Sequence, residues 1–345
     1  MKNNLKKLIL LLSLILIFVT SSCRIAKTDE LVVDDTISYT NTSTDEFQIP
    51  ASNNPNGFKI TYDCNNDNIY ESTSTLDNKA INPGSPKKPC ATFKGWFSDP
   101  ECEILYDFDE KVTSALTLYA GWDIDIQDLT TTIYQTTIKS NVKVTSQPKT
   151  KYSKSSTVSQ GSGIIFYEDS TRYFLLTNNH VTYYDKNTYT SSIYIVTDCY
   201  GNQYEATLIN MNANYDLAIL SFRKELVPKT LLVTNICNND IKVNDLCLSL
   251  GNPESLMNAI SYGKVLSYQK FNPDSDTLEL NNVSFNVIVN NSYISSGSSG
   301  GALIDSNLKI AGIQFASGNN LTGEFIRAYA VPAKKVLEYI NTVFN

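Results

Sequence analysis

Short alternations of apolar and polar residues set the character of most of this chain. Phe58-Lys59-Ile60-Thr61-Tyr62 alternates as a half-buried strand does. Asn82-Pro83-Gly84-Ser85-Pro86 marks a turn. Thr92-Phe93-Lys94-Gly95-Trp96-Phe97 and Thr117-Leu118-Tyr119-Ala120-Gly121-Trp122 follow as two aromatic strand ends, each near a Gly-Trp pair. They predict a small β-rich unit, residues 57–122, with both indoles in its core. From Asp128 onward short strands recur between polar turns: Asn141 to Thr145, Gly163 to Tyr167, Tyr173 to Thr177, Ile193 to Thr197 and Gln203 to Ile209. That spacing predicts an all-β barrel or sandwich for residues 128–345. The last segment changes period. Val336, Leu337, Ile340, Val343 and Phe344 share one face at helical spacing, with Pro332 suited to a first helical position. A terminal amphipathic helix is expected there.

The first residues follow another logic. Lys2, Lys6 and Lys7 precede an apolar run from Leu8 to Val19, then Thr20-Ser21-Ser22-Cys23. A basic start, a short apolar core and small residues describe an export signal over residues 1–22. The run is shorter than the ~20 apolar residues of a membrane span. Small residues before Cys23 resemble a bacterial lipobox, which implies that Cys23 becomes the acylated first residue of the mature chain. Residues 23–56 are rich in Ser, Thr, Asn and Asp and are expected to act as a flexible tether.

Composition narrows the function. At 42% hydrophobic the chain has material for a substantial core, and its net charge of -7 gives no general attraction to nucleic acid. A single His excludes a His-rich metal site, and seven Cys without a Cys-x-x-Cys pair give no zinc or thioredoxin motif. No metal or other cofactor is expected.

Chemistry gathers at three places. Ser295-Ser296-Gly297-Ser298-Ser299-Gly300-Gly301 is a Gly-Ser turn entering the apolar strand Ala302-Leu303-Ile304. Glycines permit a sharp turn whose amides face an oxyanion, as acyl transfer requires. Ser299 is the candidate nucleophile, although a solvated hairpin loop accounts for this stretch alone equally well. Phe174-Leu175-Leu176-Thr177-Asn178-Asn179-His180 sets the one imidazole after an apolar strand, suited to taking a hydroxyl proton and returning it. Asn214-Tyr215-Asp216-Leu217-Ala218-Ile219-Leu220 sets a carboxylate at the entry of another, where it can fix the imidazole tautomer. The order His180, Asp216, Ser299 is that of chymotrypsin-like enzymes, and no strand–Gly-x-Ser-x-Gly–helix elbow is visible.

On these residues the domain resembles the protease domain of the DegP/HtrA family of trypsin-like serine proteases. Gln160-Gly161-Ser162-Gly163, Thr177-Asn178-Asn179-His180, Asp216-Leu217-Ala218, Gly251-Asn252-Pro253, Gly297-Ser298-Ser299-Gly300-Gly301 and Tyr329-Ala330-Val331-Pro332 carry the likeness in order. The resemblance implies a chymotrypsin-like double β-barrel with a C-terminal helix. It implies protein or peptide substrates and a catalytic His180/Asp216/Ser299 triad. The amides of Gly297 and Ser299, with that of Ser298 close by, would form the oxyanion hole. Ile313, Gln314 and Phe315 would line the specificity pocket. Three departures stand out. Ser298 replaces the family's usual Asn. Asn290-Asn291-Ser292-Tyr293 lacks its Asp-Ala pair. The chain ends soon after the helix, without room for a PDZ domain.

No Asp or Glu lies between Leu280 and Ile304, so a small or medium apolar side chain is the expected preference. A glutamyl-specific protease of the same fold and a silent adhesin on a protease scaffold are the competing readings. The 57–122 unit resembles the Listeria–Bacteroides repeat of bacterial surface proteins through Phe93-Lys94-Gly95-Trp96, Tyr106-Asp107-Phe108 and Leu118-Tyr119-Ala120-Gly121-Trp122. That likeness implies a β-grasp-like module, and a cell-surface ligand as one role for it. Lipid anchoring at the outer face of a bacterial membrane, or secretion, is the expected location.

Overall fold

A computed structural model describes residues 47–48, 54–154, 158–272, 281–320 and 322–344. The expected export signal, Cys23 and nearly all of the tether lie outside the described residues. Among the described residues, no helix is long and apolar enough to cross a membrane.

The N-terminal module is one four-stranded sheet. Its strands are β1 (Lys59–Asp63), β2 (Ile69–Thr73), β3 (Ala91–Phe97) and β4 (Leu116–Ile124), in the order β2-β1-β4-β3. The central β1 and β4 run parallel, which gives a β-grasp-like order. Residues 74–90 cross between β2 and β3 as turns instead of a helix. The alternation seen in the sequence is realised: Ile60 and Tyr62 are fully buried, and Lys59 points out. Trp96 is in this core and donates its indole N–H to the Gly84 carbonyl at 3.0 Å, which ties the Asn82–Pro86 turn to the sheet. Buried indoles need such a partner. Trp122 is only half-buried and donates to the Cys64 carbonyl at 2.9 Å.

Two closed six-stranded barrels follow. The first holds β5 (Asn141–Lys149), β6 (Ser159–Glu168), β7 (Arg172–Thr177), β8 (Ser191–Thr197), β9 (Gln203–Asn212) and β10 (Leu217–Arg223), closed in the order β10-β7-β6-β5-β8-β9. The second holds β11 (Leu246–Gly251), β12 (Ala259–Lys270), β13 (Asn286–Asn290), β14 (Ala302–Asp305), β15 (Ile310–Asn319) and β16 (Phe325–Pro332), closed as β11-β12-β13-β16-β15-β14. The chain thus has the expected double-barrel architecture.

The continuous apolar runs of β7 and β10 have a simple cause. Side chains alternate across a strand, and both faces of these strands are buried. Leu175, Leu220 and Phe222 point into the first barrel, whereas Phe174, Leu176, Leu217 and Ile219 join the core shared with Leu250, Ala302 and Ile313 of the second. The same strands therefore fill one barrel and glue it to the other. Within the first barrel Phe222 is stacked on Tyr204, with ring centres 5.1 Å apart. Phe222→Ala should cost about 3–5 kcal/mol of stability; chemical denaturation of the two proteins checks this.

The terminal helix spans Ala333–Phe344. Pro332 closes β16, so the helix begins one residue later than expected. Val336 is buried as predicted, but Tyr339 is the larger anchor, fully buried with its hydroxyl 3.1 Å from Asn210 Oδ1. Phe344 remains 46% exposed, although its ring meets Phe174 edge-on. A second helix, Ile126–Gln135, links the module to the barrels and was not expected. Its run of threonines favours strands. Only Leu129 and Ile133, one turn apart, are buried, and Asp125 caps it by accepting the Asp128 amide at 2.9 Å.

The module docks on the second barrel. Lys309 pairs with Asp67 at 2.7 Å, and Lys242 Nζ donates to Asn65 Oδ1 at 3.1 Å. Burial in this junction pulls the Lys88 ammonium below the ordinary lysine range.

Candidate active site

Each of the three sequence-derived side chains sits where a strand meets a turn. β7 ends at Thr177, and His180 follows in the short helix Asn179–Thr182. β9 turns into β10 through Asp216, which adopts φ +48°, a left-handed conformation that Asp and Asn tolerate better than most residues. Ser299 lies in the turn before β14.

His180 and Asp216 are joined twice. The His180 amide donates to Asp216 Oδ1 at 3.0 Å, and imidazole Nδ1 lies 2.8 Å from Oδ2 and 3.1 Å from Oδ1. Asp216 is fully buried, whereas the imidazole is about a quarter exposed. Burial pushes the Asp216 carboxyl above the ordinary carboxylate range, and the adjacent His180 opposes that shift. Two further residues, given no role in the sequence analysis, hold the acid. Asn281 Nδ2 donates to Asp216 Oδ2 at 3.0 Å, and Asn178 Nδ2 donates to the Asp216 carbonyl at 2.8 Å. Asn178 stands two residues before the histidine and was legible as part of its motif. Asn281 is 65 residues from Asp216, with nothing in its neighbourhood to mark it. With Nδ1 donating to this carboxylate, Nε2 carries the free lone pair a base needs.

The Ser299 backbone lies against the histidine segment. The Ser299 carbonyl accepts the Ser162 amide at 2.7 Å. At Gly161 a Cβ would meet both this carbonyl, at 2.8 Å, and the side chain of Val181, beside His180. Among the described residues the Ser299 hydroxyl makes no hydrogen bond.

The turn's peptide groups can be accounted for one by one. Ser295 and Ser298 bind reciprocally: the Ser298 amide donates to the Ser295 carbonyl at 2.9 Å, and Ser298 Oγ accepts the Ser295 amide at 3.2 Å. The Ser296 carbonyl accepts the Glu254 amide, the Gly297 carbonyl the Ser162 hydroxyl, and the Ser298 carbonyl the Gly301 amide. The Gly300 amide donates to Gln314. Three amides remain without an acceptor among the described residues, those of Ser296, Gly297 and Ser299, and the last two flank Ser298. A trans peptide points its N–H opposite its C=O, so the bonds holding the Ser296 and Ser298 carbonyls also aim these two amides. The Ser298 amide is occupied within the turn. Gly297 needs its freedom here, at φ +94° with Asn252 O only 2.9 Å from where a Cβ would stand.

Gly300 is more constrained. At φ +84°, a Cβ would lie 2.2 Å from the Ser162 carbonyl and 2.4 Å from Thr177 Oγ1. Gly300→Ala should destabilise the protein by about 3 kcal/mol or more through strain and overpacking. The expected result is a fall in thermal midpoint together with loss of activity.

The departures from the resembled family have a shared structural setting. Asn290 and Ser292 are buried in the second barrel. Ser292 Oγ donates to Asn290 Oδ1 at 2.5 Å, Ser249 Oγ lies 2.6 Å from Ser292 Oγ, and Gln314 Nε2 donates to Ser249 at 2.7 Å. This chain reaches the turn through the backbone bonds of Gln314 to Gly300 and Gly301. Of the residues expected to line a specificity pocket, Ile313 and Phe315 are instead packed in the apolar core, because alternation along β15 turns them inward. Gln314 borders a cavity of about 50 Å³ with Leu250, Ile260, Ile294 and Ser298.

All six described cysteines are unpaired. Burial pushes the thiols of Cys64, Cys199 and Cys247 up to about 12, which leaves them poor nucleophiles. Among the described residues no group of three or more His, Cys, Asp or Glu side chains is placed to hold a metal ion.

Comparison with known proteins places this geometry among relatives. Residues 161–313 match the trypsin-like peptidase domain family, and residues 58–121 match the Listeria-Bacteroides repeat domain. The chain is 27% identical over 177 residues to the periplasmic serine endoprotease DegP of Salmonella typhimurium, covering 51% of this chain and 34% of that protein. It is 28% identical over 177 residues to a probable periplasmic serine endoprotease, DegP-like, of Buchnera aphidicola, with the same shares covered. The chain thus spans about a third of the length of these curated relatives. A solved protease of M. tuberculosis, in its active form, aligns at 21% identity with a TM-score of 0.49, over 64% of this chain and 87% of that one.

Proposed function

Because the chain carries a trypsin-like serine peptidase domain, we propose that it is an exported endopeptidase that hydrolyses peptide bonds through His180, Asp216 and Ser299. The observation that carries this reading is the pairing of a buried Asp216–imidazole contact with a turn in which the two amides flanking Ser298 have no acceptor among the described residues.

Ser299 Oγ attacks the substrate carbonyl carbon while its proton passes to His180 Nε2. Negative charge moves onto the carbonyl oxygen, where the Gly297 and Ser299 amides receive it. The C–N bond then breaks, the imidazolium returns the proton to the departing amine, and an ester to Ser299 remains. Water, deprotonated by the same imidazole, cleaves that ester and restores the hydroxyl. Asp216 accepts the Nδ1–H throughout and stabilises the imidazolium. The absence of an acidic residue between Leu280 and Ile304 favours apolar side chains at the cleaved position. Acylation of Cys23 would hold the enzyme at the outer membrane face, with the repeat module as a surface-displayed spacer or binding unit.

Purified protein should degrade unfolded casein, and Ser299→Ala should not. Failure of the wild type to cleave casein or any member of a peptide library would overturn the reading. A silent binding protein is the second reading, favoured by the lack of a hydrogen bond to the Ser299 hydroxyl among the described residues; it predicts that same failure.

A further inference from the structure

Ser162 is fully buried in β6 of the first barrel, and every polar group it owns is committed around the nucleophile turn. Its hydroxyl accepts the Asn252 amide at 2.7 Å and donates to the Gly297 carbonyl at 2.7 Å. Its amide donates to the Ser299 carbonyl at 2.7 Å, and its carbonyl accepts Thr177 Oγ1 at 2.7 Å. One residue thus grips the carbonyls on both sides of Ser298 and binds the Gly251-Asn252-Pro253 segment as well. That segment in turn supplies the Glu254 amide that holds the Ser296 carbonyl.

We infer that Ser162 is a positioning residue for the oxyanion site: its hydroxyl, donated from the opposite barrel, fixes the Gly297–Ser298 peptide, the unit between the two peptides that carry the Gly297 and Ser299 N–H groups, so that both amides converge on developing charge. This rests on the peptidase reading above. The physical reason is that Gly297 has no side chain to hold its peptide plane, so the orientation must come from bonds to its carbonyls. The Ser296 carbonyl is held by Glu254 and the Gly297 carbonyl by Ser162. The Ser162 hydroxyl also binds the Asn252 amide, two residues before Glu254 in the chain. Removing that hydroxyl leaves a buried carbonyl and a buried amide unsatisfied in the same few ångströms. Rotation of the Gly297–Ser298 peptide then becomes the easiest relief; it turns the flanking peptides with it and so misaims the Gly297 and Ser299 donors, which are needed chiefly in the transition state.

The test is Ser162→Ala, assayed on a peptide substrate together with inhibition by a peptide boronate, which places a tetrahedral oxyanion in the site. Expected are a 10- to 100-fold fall in kcat, a KM within about twofold of wild type, and a parallel loss of boronate affinity. Ser140→Ala is the control. Ser140 is equally buried, with its hydroxyl bonded to the Thr137 carbonyl and near Thr234 Oγ1, neither of which belongs to the turn. It should lose stability without losing kcat. Should Ser162→Ala not fold, Ser162→Cys, close in shape and a much weaker donor, reads the same quantities.

Wild-type kcat and boronate affinity in a folded Ser162 variant overturn the inference while leaving the peptidase reading intact. Equal kcat losses in the Ser162 and Ser140 variants overturn it too, by reducing the effect to stability. An inactive wild-type protein removes both the inference and the reading beneath it.

Discussion

Ser299→Ala will lower kcat/KM on a peptide substrate by roughly a million-fold while leaving the thermal midpoint within a degree or two of wild type. The size follows from the way a nucleophile, its base and the orienting acid act as one unit, so that removing the first member forfeits most of the gain. The small effect on stability follows from the site. The Ser299 hydroxyl has no hydrogen-bond partner among the described residues, and the backbone bond of Ser299 to Ser162 does not involve it. Residual turnover should come from direct attack of water on a substrate carbonyl whose oxyanion the Gly297 and Ser299 amides receive. Steady-state kinetics with calorimetry on both proteins checks the two halves together. A hundredfold loss or less would mean that another nucleophile shares the reaction.

Asp216→Asn will lower kcat about 10⁴-fold without unfolding the protein. Asn accepts the φ of +48° found at this position, so the turn between β9 and β10 is kept. The amide oxygen replaces Oδ1 and keeps the His180 amide, 3.0 Å away. The NH₂ then takes the place of Oδ2, 2.8 Å from imidazole Nδ1. An NH₂ there can only donate, so Nδ1 must accept, and the ring proton moves to Nε2, where it blocks uptake of the Ser299 proton. Asn281 turns its amide oxygen toward the new donor.

Stability moves the other way. The folded-state carboxyl of Asp216 titrates above its unfolded value because of burial, so its stabilising contribution is complete at acid pH and is lost as pH rises through the folded value. Near pH 7 the ionised group is therefore a net cost, which neutral Asn removes. The variant should melt no lower than wild type at pH 7, and the comparison should turn against it in acid. A clear loss of midpoint at pH 7 would contradict this account of the buried acid.

How much of this was legible beforehand depended on how local each signal was. The triad residues sit at ends of apolar strands beside distinctive neighbours, so Thr177-Asn178-Asn179-His180 and Gly297-Ser298-Ser299-Gly300-Gly301 could be read without coordinates. The alternation of Ile60 and Tyr62 gave the first strand of the module for the same reason. The helix Ile126–Gln135 was illegible because its evidence is two buried residues one turn apart in a threonine-rich run. Asn281, the Ser162 hydroxyl and the Asn290-Ser292-Ser249-Gln314 chain act across separations of up to 135 residues through polar side chains of common type. Nothing local distinguishes those side chains from solvated ones. The pocket expectation failed for Ile313 and Phe315 because a strand buried on both sides has no solvent-facing position to mark which way alternation runs.

The central claim is that one hydroxyl of the turn is activated, and the turn contains four serines, Ser295, Ser296, Ser298 and Ser299. Treating the folded protein with a fluorophosphonate and mapping the adduct by peptide mass spectrometry tests that claim most directly. The account predicts one adduct per molecule, on Ser299, abolished by Ser299→Ala and by prior heat denaturation. No adduct on the wild-type protein, or an adduct spread over the neighbouring serines, would contradict it.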